Sequence, residues 1–147
     1  MINQEEIIRA KGLHSADSRY QTGAVLLAED DPALRRYLEV VLERAGFSVL
    51  TAGDGLEAMK LLLSTRIDAV VTDAMMPNLT GYELCRFIRT TKHLAHLPII
   101  LLSALDPKNA TSEAEQANAF LCKPVSPESL LECLEQLGVE AMKESVV

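Results

Sequence analysis

The sequence predicts an α/β fold in three layers, a doubly wound five-stranded parallel sheet with helices on both faces. From residue 23 onward, short strand-like segments alternate with segments of helical periodicity. This alternation is typical of parallel sheets, because each crossover between parallel strands needs a connection about as long as a helix. The strand-like segments are also continuously apolar, which indicates that helices cover both faces of each strand.

Each predicted strand is a short, mainly apolar run that ends at or close to a polar residue or a glycine. Such runs are typical of strands in the interior of a sheet. The five runs are Ala24–Ala28, Ser48–Ala52, Ala69–Thr72, Pro98–Leu102 and Ala119–Leu121.

Capping residues mark the first and last predicted helices. Asp31 is placed as an N-cap, with Pro32 at the first helical position, and Gly46 ends this helix. Ser126 caps the last helix in the same way, and Gly138 closes it. We therefore interpret Asp31 as a helix cap and not as a metal ligand.

Three further helices are predicted between the first and the last. They are expected at residues 55–64, at Gly81–Thr91 and, as a short helix, near residues 110–117. In the first of these, the spacing of Leu56, Met59 and Leu63 predicts that these three side chains face the core.

Composition limits the class of protein. The 147 residues correspond to about one domain, which we place at 23–138, with an N-terminal extension at 1–22 and a C-terminal tail at 139–147. No apolar run approaches the roughly 18 residues that span a bilayer, so we expect a cytoplasmic protein without membrane contact. The formal net charge of −7 argues against direct nucleic-acid binding by this domain.

Five polar residues lie at the ends of four predicted strands. Glu29 and Asp30 follow the first strand, and Asp73 ends the third. Ser103 follows the fourth strand, and Lys123 comes shortly after the fifth. In a doubly wound sheet, sites form beyond the carboxyl ends of the strands, so these residues are expected at one edge of the sheet.

With these motifs the chain resembles the receiver domain of two-component response regulators, of the chemotaxis-regulator type, from about residue 24 to 137. The resemblance rests on the order and spacing of several short motifs together. These are Glu29-Asp30, Asp73 followed by Met76-Pro77 and Gly81, Ser103-Ala104, and Phe120-Leu121-Cys122-Lys123-Pro124. It implies a flavodoxin-like sheet with strand order 2-1-3-4-5.

The resemblance implies that Asp73 accepts a phosphoryl group from a phosphohistidine of a histidine kinase or a phosphotransfer protein. It also implies a Mg²⁺ site formed by Glu29, Asp30, Asp73 and the backbone carbonyl of Met75. Mg²⁺ prefers oxygen ligands and keeps several waters, so a few carboxylates suffice. Three carboxylates in one pocket repel each other, which raises the pKa of at least one when metal is absent.

By the same resemblance, Ser103 and Lys123 bind the phosphoryl oxygens, and Phe120 is the switch aromatic. Phosphorylation is expected to alter the face formed by the fourth and fifth predicted helices and the fifth strand. The domain would be a signalling phosphoacceptor that catalyses only its own phosphorylation and dephosphorylation. Its output partner would be an effector protein or a fused output domain.

Two departures from the family pattern shape the expectations. The last predicted helix contains no Lys or Arg, so we expect a monomer or a weak dimer, without strong ion pairs across an interface. Met75 and Leu105 occupy the two variable positions that flank the path of attacking water. Neither side chain orients water strongly, which predicts slow self-dephosphorylation.

Three alternatives remain open from the sequence. The chain is either a stand-alone regulator or a receiver module of a longer regulator, a hybrid histidine kinase or a phosphorelay. A phosphohydrolase with an aspartyl-phosphate intermediate is disfavoured, because such enzymes usually have an acid where Met75 stands. A flavin-binding module on the same sheet is disfavoured because Glu29-Asp30-Asp31 would repel a phosphate group.

Overall fold

The predicted sheet is confirmed. The structure is a computed structural model that describes residues 23–104 and 116–141. Its five strands are all parallel and lie in the order β2-β1-β3-β4-β5. The strands are β1 Ala24–Ala28, β2 Ser48–Ala52, β3 Ala69–Asp73, β4 Ile99–Ser103 and β5 Ala119–Cys122.

Four helices lie within the described residues: α1 Pro32–Arg44, α2 Gly55–Ser64, α3 Gly81–Thr90 and α4 Pro127–Gln136. The helix predicted near residues 110–117 falls almost entirely on residues 105–115, which lie outside the described residues. Asp31 caps α1 as predicted, since its Oδ1 accepts from the amide of Ala33 at 3.0 Å. Ser126 caps α4 through the amide of Ser129 at 3.1 Å.

Two hydrophobic clusters sandwich the sheet, which confirms the three layers. Side chains alternate between the faces of a strand, so Leu26 packs towards α2 and α3 while Leu27 packs towards α1 and α4. Leu84 and Leu134, on α3 and α4, are likewise fully buried on opposite sides of the sheet. Each such leucine contributes roughly 1.5–3 kcal/mol to folding.

The predicted inward face of α2 is wrong at two positions. Leu56 and Leu63 are 40% and 56% exposed, whereas Ala58 and Leu62 are buried. The phase of the helix is set by Gly55, because a Cβ at this position would overlap the backbone of the loop that follows β3. The helix therefore contacts that loop through its glycine face, and the two leucines turn outward.

Arg89 connects the end of α3 to the segments before β4 and β5. Its guanidinium donates to the backbone oxygens of Ala95, Leu97 and Gln116 at 2.8–3.0 Å and to Oδ1 of Asn118 at 2.8 Å. The same Oδ1 accepts from the first amide of β4 at 2.8 Å. One side chain therefore fixes where both strands begin.

The described chain continues past α4 along the body of the domain. Val139 is buried in the cluster beneath α1 and α4, and a Cβ at Gly23 would overlap the backbone oxygen of Glu140. The boundaries 1–22, 23–138 and 139–147 stay a prediction. Across residues 23–104 and 116–141, no helix has the length and apolar character to cross a membrane.

Candidate functional site

The carboxyl ends of the strands gather the predicted residues at one edge of the sheet. Glu29 and Asp30 follow β1, Asp73 is the last residue of β3, Ser103 is the last of β4 and Lys123 follows β5. Glu29, Asp73 and Ser103 are buried, with 0%, 7% and 3% of their surface exposed, whereas Asp30 is exposed. The site is therefore a buried acidic floor that opens to solvent beside Asp30.

Lys123 connects two of the carboxylates. Its Nζ lies 3.0 Å from Asp73 Oδ2 and 3.0 Å from Glu29 Oε1. Partial burial works against the lysine charge, but hydrogen bonding to Asp73, and next the contact with Glu29, raise the pKa of Lys123 above its ordinary value. The lysine therefore stays protonated and offsets part of the negative charge.

Glu29 is the perturbed acid of the group. Burial, which penalises the ionised form, is the main reason that its pKa rises from 4.5 to about 7, and the nearby charge of Asp73 adds to this. A hydrogen bond from the amide of Asp31 at 3.1 Å and the contact with Lys123 work in the opposite direction. Near neutral pH the metal-free site therefore holds Glu29 partly protonated, and a bound cation would favour the ionised form.

The donor set fits a hard divalent cation. One carboxylate oxygen from each of Glu29, Asp30 and Asp73 lies within 4.8 Å of the others. Within the described residues, buried Glu29 Oε1 makes no hydrogen bond of standard geometry, and the Lys123 ammonium faces it at an ion-pair distance of 3.0 Å. A buried carboxylate that shares one lysine with a neighbouring carboxylate keeps part of its negative charge unbalanced, and the three acids together are suited to Mg²⁺, which takes oxygen ligands and keeps its waters on the open side.

The loop after β3 is held so that Asp73 keeps its position. Helix α3 begins directly behind Asp73, and a Cβ at Gly81 would overlap the backbone oxygen of Asp73. Thr80 and Glu83 form a capping box that fixes the start of α3. Asn78, with φ of 69°, crosses to the N-cap of α2, where its amide donates to Asp54 at 3.0 Å.

Three predicted residues lie at or beyond the margin of this cluster. Met75 is 60% exposed, and its amide lies 3.4 Å from Asp73 Oδ1, which is long for a hydrogen bond. Phe120 pairs in register with Leu101 and is partly buried against the cluster beneath α2 and α3. Leu105 lies outside the described residues.

Sequence reasoning missed Arg35. Its Nη1 donates to the backbone oxygen of Glu29 at 2.8 Å. One feature of the sequence could have indicated a role for Arg35. It lies near the amino end of a predicted helix, where the helix dipole disfavours a cation. An arginine in that place needs a partner, and the nearest strand end provides one.

The fold and the site together define a receiver domain of a two-component response regulator. Residues 25–135 match the family model described as the response regulator receiver domain, and the chain belongs to this family. The predicted resemblance is therefore confirmed, and with it the general class of signalling protein.

Curated proteins that match this chain are named as regulators and extend beyond the matched region. Response regulator MprA of Mycobacterium sp. (strain KMS) is 42% identical over 109 residues, which cover 73% of this chain and 46% of MprA. Transcriptional regulatory protein AfsQ1 of Streptomyces coelicolor is 48% identical over 104 residues, 69% of this chain and 45% of AfsQ1. The chain spans about half the length of the curated relatives it matches.

Solved structures agree with the fold and the family. The chemotaxis response regulator CheY4 of Vibrio cholerae is 30% identical with a TM-score of 0.75, over 80% of this chain and 99% of CheY4. The response regulator TrrA of Thermotoga maritima, solved in complex with Mg²⁺ and BeF, is also 30% identical. Its TM-score is 0.71, over 78% of this chain and 97% of TrrA.

Proposed function

We propose that this receiver domain accepts a phosphoryl group on Asp73 from a phosphohistidine of a histidine kinase or a phosphotransfer protein. The observation that carries the proposal is the placement of Lys123 Nζ, 3.0 Å from both Asp73 and Glu29, beside three convergent carboxylates. A structural ion pair alone would not require the exposed third acid, Asp30. A phosphoryl-transfer site does, because three acids can hold the divalent cation that neutralises the phosphoryl oxygens.

The proposed nucleophile is Asp73 Oδ1, since Oδ2 is held by Lys123. In the transfer, Asp73 forms a bond to phosphorus while the bond between phosphorus and the donor imidazole nitrogen breaks. The imidazole leaves and takes up a proton. Lys123 then moves its charge from the carboxylate to the transferred group, and the Ser103 hydroxyl, at the end of the adjacent strand, donates to a phosphoryl oxygen.

Glu29, Asp30, Asp73 and the Met75 carbonyl would hold Mg²⁺. When bound, the cation withdraws charge from the phosphoryl oxygens and lowers the repulsion between the incoming group and the acids. Asp30, the exposed member, is the natural point of entry for a hydrated ion. Glu29 would gain a second cationic partner at its buried Oε1, which shares Lys123 with Asp73.

The output would be a change in the position of β5 and its surroundings. Ser103 and Phe120 lie on neighbouring strands, and Phe120 is only partly buried. Movement of Ser103 towards the phosphoryl group would leave space into which Phe120 can turn. Charge-assisted hydrogen bonds of about 1.5–3 kcal/mol each from Ser103 and Lys123 are large enough to shift a two-state domain substantially.

The phosphoryl group on Asp73 should be long-lived. Met75, the described member of the two positions flanking the path of water, exposes an apolar side chain that offers no hydrogen bond to orient a water. The same residue argues against a phosphohydrolase, because it offers no acid to activate water. A long-lived acyl phosphate suits either a slow signal or reversible relay within a hybrid kinase or phosphorelay.

The test is incubation of the full chain with Mg²⁺ and a small acyl phosphate, followed by intact mass measurement. The expected result is a gain of one phosphoryl group that is lost in Asp73→Asn and prevented by EDTA. Asp31→Asn is the matched control, because it makes the same chemical change at a neighbouring acid and asparagine is an equally good N-cap. A wild-type chain that gains no phosphoryl group, or an Asp73→Asn chain that still gains one, would refute the proposal.

A further inference from the structure

Arg35 holds the main chain at the point where the two acids leave β1. Its Nη1 donates to the backbone oxygen of Glu29 at 2.8 Å, and the amide of Glu29 donates to the backbone oxygen of Ala52 at 3.0 Å. The peptide groups of Glu29 are thus fixed from two sides, by α1 and by the end of β2. These two hydrogen bonds hold the main chain from which Glu29 and Asp30 project.

Helix stability does not explain an arginine at this place. Helix α1 has no acidic residue in its first turn, and a cation near the amino end of a helix opposes the helix dipole. The adjacent Arg36 stabilises the helix itself, because it forms an ion pair with Glu39 on the exposed face at 3.0 Å. Arg35 instead directs its guanidinium back at the strand end.

The guanidinium also packs against the connection between β2 and α2. A Cβ at Gly53 would lie 3.2 Å from Arg35 Nη1, so only a glycine leaves comfortable space beside it. Gly53 is itself fixed, since its amide donates to Glu57 Oε1 at 2.6 Å. Arg35 therefore lies between a fixed connection and the carbonyl of Glu29, in a place where its own position is well defined.

We propose that Arg35 is a positioning residue for the divalent-cation site: it holds the turn after β1 so that the carboxylates of Glu29 and Asp30 converge on Asp73. This inference rests on the proposed function, since it presumes that the three acids bind Mg²⁺. Groups that orient metal ligands without touching the metal typically change metal affinity about 10-fold to 100-fold when removed.

The direction in which Mg²⁺ affinity changes when Arg35 is removed distinguishes a positioning role from a purely electrostatic one. Arg35 carries a positive charge close to an acidic site. Removing that charge alone would increase the attraction for a divalent cation and tighten Mg²⁺ binding. Removing a positioning hydrogen bond weakens Mg²⁺ binding, because the carboxylates of Glu29 and Asp30 no longer converge.

The experiment compares Arg35→Met with Arg36→Met in the full chain. Both substitutions remove one guanidinium and keep an apolar stem. Mg²⁺ binding is measured by isothermal titration calorimetry, and folding is checked by circular dichroism in EDTA. We expect a Kd for Mg²⁺ about 10-fold higher for Arg35→Met, and a Kd unchanged within about twofold for Arg36→Met.

The rate of phosphorylation by a small acyl phosphate, measured as a function of Mg²⁺ concentration, gives a second readout. Arg35→Met should need about 10-fold more Mg²⁺ for half-maximal rate while keeping the maximal rate within about twofold, because a positioning residue acts through the cation. Arg35→Lys should restore part of the affinity, since lysine can donate one hydrogen bond to the Glu29 carbonyl. A residue that only stabilises the fold would change the unfolding midpoint in EDTA but neither Mg²⁺ constant.

Equal or tighter Mg²⁺ binding by Arg35→Met would overturn the inference, as would equal weakening by Arg36→Met. If Arg35→Met does not fold, Arg35→Gln decides in the same way: weaker binding supports positioning, and equal or tighter binding refutes it. Failure of the wild-type chain to bind Mg²⁺ would instead refute the proposed function. The two failures are thereby distinguished.

Discussion

The buried Glu29 carboxyl should make the metal-free domain less stable as pH rises through neutrality. Its pKa is raised to about 7 in the folded chain against an ordinary value of 4.5. The folded state therefore binds more protons than the unfolded state between these values. Since stability falls with pH wherever the folded state binds more protons, this group's contribution is fully present below about pH 4.5 and is lost as pH rises to about 7 and beyond.

The size of the effect follows from the two pKa values. Each pKa unit corresponds to about 1.4 kcal/mol. A rise of the Glu29 pKa from 4.5 to about 7 would therefore lower the free energy of unfolding by about 3 kcal/mol once Glu29 is fully ionised. Between about pH 5.5 and about pH 8.5 the Glu29 carboxyl alone should lower the free energy of unfolding by about 2 kcal/mol. Such a change is a sizeable part of the stability of a domain of this length.

The assay is urea unfolding followed by circular dichroism in EDTA at both pH values, on the wild-type chain and on Glu29→Gln. Other groups also titrate in this range, so the quantity of interest is the difference between the two proteins. The wild type should lose about 2 kcal/mol more than the variant on going to high pH. Saturating Mg²⁺ should remove or reverse the difference, because it binds the ionised form of Glu29.

Parallel pH profiles for the wild type and Glu29→Gln in EDTA would refute this reasoning. They would mean that Glu29 ionises in the folded state near its ordinary pKa, either because water reaches the carboxyl or because Lys123 compensates its charge fully. A wild type that becomes relatively more stable with rising pH would contradict the sign itself.

Three further outcomes follow from the same geometry. Lys123→Met should lower the free energy of unfolding in EDTA at about pH 8 by about 2 kcal/mol, measured by urea unfolding, because it leaves two buried carboxylates unpaired. Unchanged stability would contradict this. Gly81→Ala should cost about 2 kcal/mol or more by the same method, because its Cβ would overlap the Asp73 backbone, whereas Gly53→Ala, whose Cβ would lie 3.2 Å from Arg35 Nη1 and would not overlap backbone, should cost less. Met75→Asn should lose its phosphoryl group faster than wild type in a time course of intact mass, because the amide can orient water; an equal or slower loss would argue against the role of Met75.

Much of the fold could be read from the sequence because the local signals agree with the tertiary arrangement. The runs for β1 and β2 have the predicted ends, and Asp31-Pro32 and Ser126 begin helices where they should. Polar residues at the carboxyl ends of parallel strands must meet at one edge, so Asp73 and its neighbours could be grouped before any coordinates.

The features that the sequence did not predict depend on contacts between segments distant in sequence. The run Leu61-Leu62-Leu63 satisfies more than one helical phase, and only the close approach of Gly55 to the loop after β3 selects the phase that buries Leu62. Arg35 was missed for a similar reason. Its acceptor is a backbone carbonyl, which has no signature in the sequence.

The anchoring of Arg89 would limit how β5 responds to the proposed phosphorylation of Asp73. The guanidinium fixes the strand where it begins, through Asn118, whereas Lys123 lies at the opposite end. Because β5 is also hydrogen-bonded to β4 along its length, its movement would be a small pivot about this anchored end and not a slide along the sheet. Over the roughly 16 Å between these residues, a pivot of about 4° suffices to move the lysine end by about 1 Å. Displacement would therefore grow along β5 towards Asp73, so that the residues closest to the chemistry travel farthest and the base of the sheet stays still.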